Sequence, residues 1–204
     1  MTQFEIKDGV AIIPDGTTEI PFRAFINCED LTTVVIPDSV TCIVNGAFFG
    51  CSSLTEIVIP NSVTSIGPGA FAHCSSLKEI VIPNSVTQIG YNAFRFCTSL
   101  TNIVIPNGVT SIGDRAFCCA PGRKLVIRNI RKLVTENEPT TVTNTSSLTS
   151  VTLPESLTEL GKDVFLGCEK LETIYIPTKQ ANFYREHLPE TLHDKIVEFE
   201  PEQR

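Results

Sequence analysis

Cys51-Ser-Ser-Leu54-Thr-Glu-Ile57-Val-Ile59-Pro60-Asn-Ser-Val63-Thr-Ser-Ile66-Gly-Pro-Gly-Ala70-Phe71-Ala-His-Cys74 is one copy of a unit that returns almost unchanged from Cys74 to Cys97. Outward from it, Pro14, Pro37, Pro60, Pro83 and Pro106 recur every 23 residues, as do Pro154 and Pro177. The 48 residues between Pro106 and Pro154 equal two units plus two residues, with Arg128 in the missing proline position after Leu125-Val-Ile127. A fixed period of this length predicts a solenoid of about eight turns, in which each unit buries its apolar face only against its neighbours.

One unit is readable as physics. Ile57-Val58-Ile59 is short and β-branched, which predicts a strand with Ile57 and Ile59 inward and Glu56 and Val58 outward. Pro60 has no N–H for a ladder and ends the strand, and Pro60-Asn61-Ser62 supplies the turn. Val63 and Ile66 return inward on a second extended segment. Gly67 permits a tight corner, and Gly46, Gly69, Gly90 and Gly113 are corner glycines too. Ala70-Phe71 sets a large ring in the core on a short helical turn.

Inward columns follow at the same period. Leu31, Leu54, Leu77, Leu100, Leu148 and Leu171 form one; Phe25, Phe48, Phe71, Phe94, Phe117 and Phe165 form another. Cys28, Cys51, Cys74, Cys97 and Cys168 form a third, which Cys119 joins if a one-residue slip precedes it, and Thr145 takes the place in the seventh turn. A column of parallel thiols does not converge as metal ligands must, so the reading is a reduced ladder of small apolar side chains. Cys42 and Cys118 lie off the column and are expected to face solvent.

The pattern Cys-Ser-Ser-Leu-x-x-Ile-x-Ile-Pro-x-Ser-Val-Thr-x-Ile-Gly-x-x-Ala-Phe resembles the 23-residue leucine-rich repeats of the BspA-like family over about residues 14–177. The resemblance implies a right-handed leucine-rich-repeat solenoid of the α/β horseshoe type, mostly β, with a parallel sheet on one face. It further implies a binding role, because members resemble bacterial and protist surface proteins implicated in adhesion to host or matrix proteins. The repeat brings no catalytic residues with it.

The organisation expected is a single solenoid domain over 1–204. Residues 1–13 form an N-terminal hairpin cap with an Asp8-Gly9 turn, residues 14–177 the repeats, with irregular turns at 119–153, and residues 178–204 a helical cap and tail. In that cap Thr178 is expected to N-cap a helix through Leu188, with Phe183, Tyr184 and Leu188 inward, before a last strand at 196–199.

With 16 basic and 23 acidic residues the net charge is −7, against nucleic acid or an anionic membrane as partner. No apolar run approaches a membrane span, so no membrane insertion is expected. Met1-Thr-Gln-Phe-Glu-Ile-Lys lacks the basic and apolar regions of a signal peptide. With a reduced cysteine ladder this reads as cytoplasmic, the alternative being a secreted or surface protein whose upstream leader has been removed. His73, His187 and His193 share no metal-binding spacing, and no nucleophile has a His/Asp partner. No enzyme activity, metal or cofactor is therefore expected.

Three surfaces are candidates for a partner. The first is the outward strand column Val35, Val58, Val81, Val104, Val126, Thr152 and Tyr175, with its companion Thr33, Glu56, Glu79, Asn102, Lys124, Ser150 and Thr173; such an apolar row often marks an interface. The second is the corner between Gly and Cys, where copies diverge and Phe49, Tyr91, Arg95 and Phe96 are large; aromatic residues and Arg are typical anchors. The third is the basic cluster Arg123, Lys124, Arg128, Arg131 and Lys132, followed by a polar loop over 135–147. The functional reading is a protein-binding or adhesion-type module on a rigid scaffold, with a self-associating homo-oligomeric scaffold as the alternative.

Overall fold

The computed structural model describes residues 4–119 and 147–200. Its first sheet face carries one strand per turn: β2 (Val10–Ile12), β4 (Thr33–Val35), β6 (Glu56–Val58), β8 (Glu79–Val81), β10 (Asn102–Val104), β12 (Ser150–Thr152) and β14 (Thr173–Pro177). The second face carries β3 (Glu19–Ile20), β5 (Cys42–Ile43), β7 (Ser65–Ile66), β9 (Gln88–Ile89), β11 (Ser111–Ile112) and β13 (Glu159–Leu160), paired in parallel as one six-stranded sheet. The first face is less continuous: it divides into β2–β4, β6–β8 and β10–β12–β14 ladders.

The solenoid has about seven turns rather than eight. Asn102 pairs directly with Ser150 and Ser111 with Glu159, so the turn built on β10 and β11 stacks on the turn built on β12 and β13 with no coil between. The expected strand at Leu125–Ile127, the polar loop and Thr145 lie outside the described residues. A horseshoe of the α/β type is also too helical a description. Opposite the strands the chain makes successive tight turns, and the one α-helix among the described residues is α1 (Ala181–His187).

Those tight turns are held by a third hydrogen-bond ladder. Gly46, Phe48 and Gly50 donate their N–H groups to the carbonyls of Pro68, Ala70 and Ala72 in the next turn, at 2.9, 2.8 and 2.8 Å. The intervening Ala47 and Phe49 close local turns onto Val44 and Gly46. Gly69, Phe71 and His73 repeat the pattern on Tyr91, Ala93 and Arg95. The alternation sets two rows of each corner at positive φ: Arg23, Gly46, Gly69, Asn92, Arg115 and Asp163 in one, Asn27, Gly50, His73, Phe96 and Gly167 in the other.

The core is the stack of inward columns. The phenylalanine rings from Phe25 to Phe117 lie parallel at 5.1–5.4 Å, Phe165 follows at 5.9 Å, and Phe4 of the N-terminal hairpin covers the open end 5.5 Å from Phe25. That hairpin pairs β1 (Ile6–Lys7) antiparallel with β2 around Asp8-Gly9. At the other end β15 (Ile196–Phe199) adds in parallel to β14, and Tyr184 is fully buried with its hydroxyl donating to the Pro154 carbonyl at 2.6 Å. Thr178 does not cap the helix as expected; its hydroxyl donates to the Phe199 carbonyl, and a 3-10 turn over Thr178–Gln180 leads into α1.

The corner glycines serve two different needs. Gly69 has φ +60 with its nearest prospective Cβ contact at 4.0 Å, so its requirement is conformational. Gly90 has ordinary backbone angles, but a Cβ there would lie 2.5 Å from the Pro68 nitrogen. Gly113 is similarly crowded by the Tyr91 nitrogen at 2.5 Å. These glycines let one turn lie directly on the last.

Candidate interaction surfaces

The thiols are scaffold. Cys28, Cys42, Cys51, Cys74 and Cys97 carry free thiols. Cys51, Cys74 and Cys97 donate their S–H groups to the carbonyls of Phe25, Phe48 and Phe71 at 3.1, 3.2 and 3.1 Å, and Cys168 to Phe117 at 3.2 Å. Burial pushes the Cys51 thiol up to about 12 and raises Cys74 and Cys97 as well; Cys28 adds to the rise at Cys51, Cys97 and Cys51 at Cys74, and Cys119 at Cys97. Such thiols stay protonated and are poor nucleophiles.

Two cysteine expectations are corrected. Cys118 is buried, not solvent-facing. It shares a row with Phe49, Ala72, Arg95 and Leu166, in which the small Ala72 is likewise buried. Cys119 is buried too; its N–H bond to the Leu166 carbonyl sets its backbone in the row of His73 and Phe96, one residue short of the column, while its thiol still acts on Cys97 as the next in the ladder. Cys42 is half-buried, 3.1 Å from the Ser65 hydroxyl.

The strand face carries an exposed row that is apolar except at Thr152, which stands between Val104 and Tyr175. Val58, Val81 and Val104 are 77%, 75% and 64% exposed, flanked by Val35 and Tyr175. Ile12 and Val197 extend the row beyond the expected column at both ends, because the caps contribute strands in register: Ile12 pairs with Val35 and Tyr175 with Val197. The period could have found Ile12, which is 23 residues before Val35; Val197 lies outside the repeat and had no such signal. Beside the row, Glu56 pairs directly with Glu79, like charge against like. Between β8 and β10 the ladder is open, and a groove of about 380 Å³ runs between the Glu79–Ile82 and Thr101–Val104 segments.

The corner face gathers what the sequence named and more. The His73 ring sits between Phe49 and Phe96, with centroids 5.1 and 4.8 Å away, and the Arg95 guanidinium lies 4.6 Å over Phe96. Desolvation in this cluster, with Arg95 adding, lowers the His73 pKa. Tyr91 is exposed. Phe22, which sequence reasoning missed, is 59% exposed under the Arg23 guanidinium at 4.8 Å. Its position, 23 residues before Asn45, was the available signal. The basic cluster Arg123, Lys124, Arg128, Arg131 and Lys132 lies outside the described residues.

Among the described residues no helix is long and apolar enough to cross a membrane, and no group of three or more His, Cys, Asp or Glu side chains is placed to hold a metal ion. Short stacked turns with Leu, Ile and Phe columns inside and bare strand rows outside define a leucine-rich-repeat scaffold, a class whose members generally bind other proteins and are typically not enzymes. Its sequence matches the BspA type leucine rich repeat region in six copies over residues 10–122 and 69–191, and the chain belongs to that family.

Solved structures agree. A leucine-rich repeat protein from Bacteroides ovatus is 27% identical with a TM-score of 0.70, aligned over 94% of this chain and 42% of its own. A T. pallidum leucine-rich repeat protein is 28% identical with a TM-score of 0.67, aligned over 94% of this chain and 89% of its own. A third, from Eubacterium ventriosum, is 27% identical with a TM-score of 0.63 over 80% of this chain and 37% of its own. The chain thus spans less than half of the B. ovatus and E. ventriosum proteins. No match was found among curated protein sequences.

Proposed function

We propose that this protein is a protein-interaction module whose strand face receives another protein presenting an apolar row edged by Lys or Arg. The observation that carries the reading is the exposed column from Ile12 through Val58, Val81 and Val104 to Val197. Nothing in the core requires those side chains, and solvating them forfeits the gain that burial would bring, about 25 cal/mol per Å². The facing Glu56 and Glu79 supply the sign of the partner's charge. Carboxylates directly opposite on a ladder repel, and neither is ion-paired among the described residues. A cationic side chain between them removes that repulsion.

The same acidic edge weighs against pairing two copies through this face, since each would bring its own carboxylates. An adhesion role, with a host or matrix protein as the partner, is one form of the proposal. Affinity capture from native-host lysate and from extracellular-matrix extract, with wild type beside the Val58→Glu/Val81→Glu double variant, tests it. The partner should be lost from the variant while its melting temperature holds. A partner retained at full yield removes the strand face from the account, and a homodimer that dissociates in the variant replaces it with self-association.

A further inference from the structure

The corner segments of the first four turns, residues 22–27, 45–50, 68–73 and 91–96, make up a face with an unusual charge. The protein has 23 acidic residues, and none of them falls in these segments. They carry Arg23 and Arg95 instead. The fifth and sixth corners return to acid with Asp114 and Asp163, and there Arg115 is paired with Asp163 at 3.1 Å. Arg23 and Arg95 have no ion pair among the described residues. Each guanidinium is held over its own ring, Phe22 or Phe96, which fixes it without neutralising it. The Arg95 Nε and the Asn92 Oδ1 are buried without hydrogen-bond partners.

Beside Arg23 the surface opens into a groove of about 230 Å³ that runs across the turns to Tyr91, on the same turn as Arg95. Its floor is Gly46 and Gly69, in the positive-φ row that carries Arg23, Asn92 and Arg115 in other turns. Glycine keeps the corner's shape and removes the side chain that would fill it. Phe22 and Tyr91 stand at the ends and Phe49 at the side. This is room for one large apolar side chain with aromatic walls.

We propose that this corner face binds an extended acidic peptide, with carboxylates on Arg23 and Arg95 and an apolar side chain between them in the groove over Gly46 and Gly69. The spacing follows from the fold. Arg95 lies three turns and three residues on from Arg23, and the stacked core rings advance 5.1–5.4 Å per turn, which sets the two roughly 15 Å apart along the solenoid axis. An extended chain covers that in four or five residues at about 3.3 Å each. The peptide therefore carries its acids at i and i+4 or i+5. A guanidinium fork suits a carboxylate in two-pronged geometry, and a pre-fixed cation loses little freedom on binding. The site is separate from the strand face, which is acidic and takes the opposite charge.

A random twelve-residue peptide library panned on the intact chain tests the proposal, with selected peptides remeasured by fluorescence anisotropy. Enrichment of two acidic residues four or five apart around a large apolar residue is expected, with binding that weakens as salt rises. Arg23→Asn/Arg95→Gln should weaken binding at least tenfold. Gly46→Asn/Gly69→Asn, which fills the groove with a residue that tolerates positive φ, should do the same with the chain still folded and its melting temperature lowered by only a few degrees. Val58→Glu/Val81→Glu should leave it unchanged, so this site and the strand face fail independently. The proposal is overturned by peptides without acidic enrichment, or by binding that survives both corner variants. Polygalacturonate bound more tightly than any selected peptide, and lost in the same variants, would assign the face to an acidic saccharide and likewise overturn it.

Discussion

Gly69 and Gly90 occupy neighbouring corners, and the fold predicts that alanine costs very different amounts at the two. At Gly69 the obstacle is φ +60 in otherwise open space. A left-handed conformation costs a non-glycine residue about 1–2 kcal/mol, and the stiffer unfolded chain returns about 0.4–1. Gly69→Ala should therefore lose about 1 kcal/mol. Gly69→Asn should lose less, since Asn92 holds the same row at φ 56. At Gly90 the backbone is ordinary, but the new Cβ would lie 2.5 Å from the Pro68 nitrogen and 2.6 Å from the Gly67 carbonyl carbon. Backbone cannot rotate away as a side chain can. The two turns must part by nearly 1 Å, against the Gly90 N–H bond to Ile66 at 2.8 Å. Overpacking of this kind costs about 1–3 kcal/mol, and a weakened ladder bond adds about 1, so Gly90→Ala should lose about 3 kcal/mol. Urea unfolding at constant m-value reads these differences. If Gly90→Ala proves no worse than Gly69→Ala, the close stacking of turns described here is wrong.

Further perturbations probe other parts of the scaffold. Phe71→Ala, between rings at 5.2 and 5.4 Å, should cost about 3–5 kcal/mol in the same assay, and more than Phe4→Ala at the end of the stack. Tyr184→Phe leaves the Pro154 carbonyl without the 2.6 Å bond and should cost about 1–2 kcal/mol; a loss near zero would mean that the C-terminal cap is not docked this way. The buried thiols predict alkaline sensitivity. Unfolded thiols ionise near pH 8.5, while Cys51 in the fold is pushed up to about 12, so the native state holds protons that the unfolded state has lost. Stability should fall as pH rises above about 8.5 and continue to fall toward 12. In the same range native alkylation should reach Cys42 before Cys51, Cys74 or Cys97; equal rates would contradict the ladder.

Much of this was legible because a solenoid repeats its physics. The spacing of Leu54, Ile57, Val63, Ile66 and Phe71 against their copies identifies inward positions without any knowledge of the neighbours, and the exposed valines follow by alternation. The spacing misleads where it is only arithmetic. Forty-eight residues look like two turns, yet no Phe lies between Phe117 and Phe165, and the described strands on either side pair directly. Other features depend on contacts between turns. The period puts Gly90 with Gly67 and Gly113, and Gly69 with Gly46, but it does not say that Gly90 is needed for its closeness to the preceding coil and Gly69 for its positive φ. The isolation of Arg23 and Arg95 on one face emerges only when four corners are laid side by side.

The central claim is that the strand face is where a partner sits. Photo-crosslinking tests it most directly, with p-benzoylphenylalanine replacing Val81 on the strand face or, in a second preparation, Gln88 on the six-stranded sheet. Each preparation is incubated with the captured partner. The account predicts an adduct of chain plus partner from position 81, suppressed by unlabelled wild type and not by Val58→Glu/Val81→Glu, with little from position 88. Equal adducts from both positions, or an adduct from 88 alone, would contradict it.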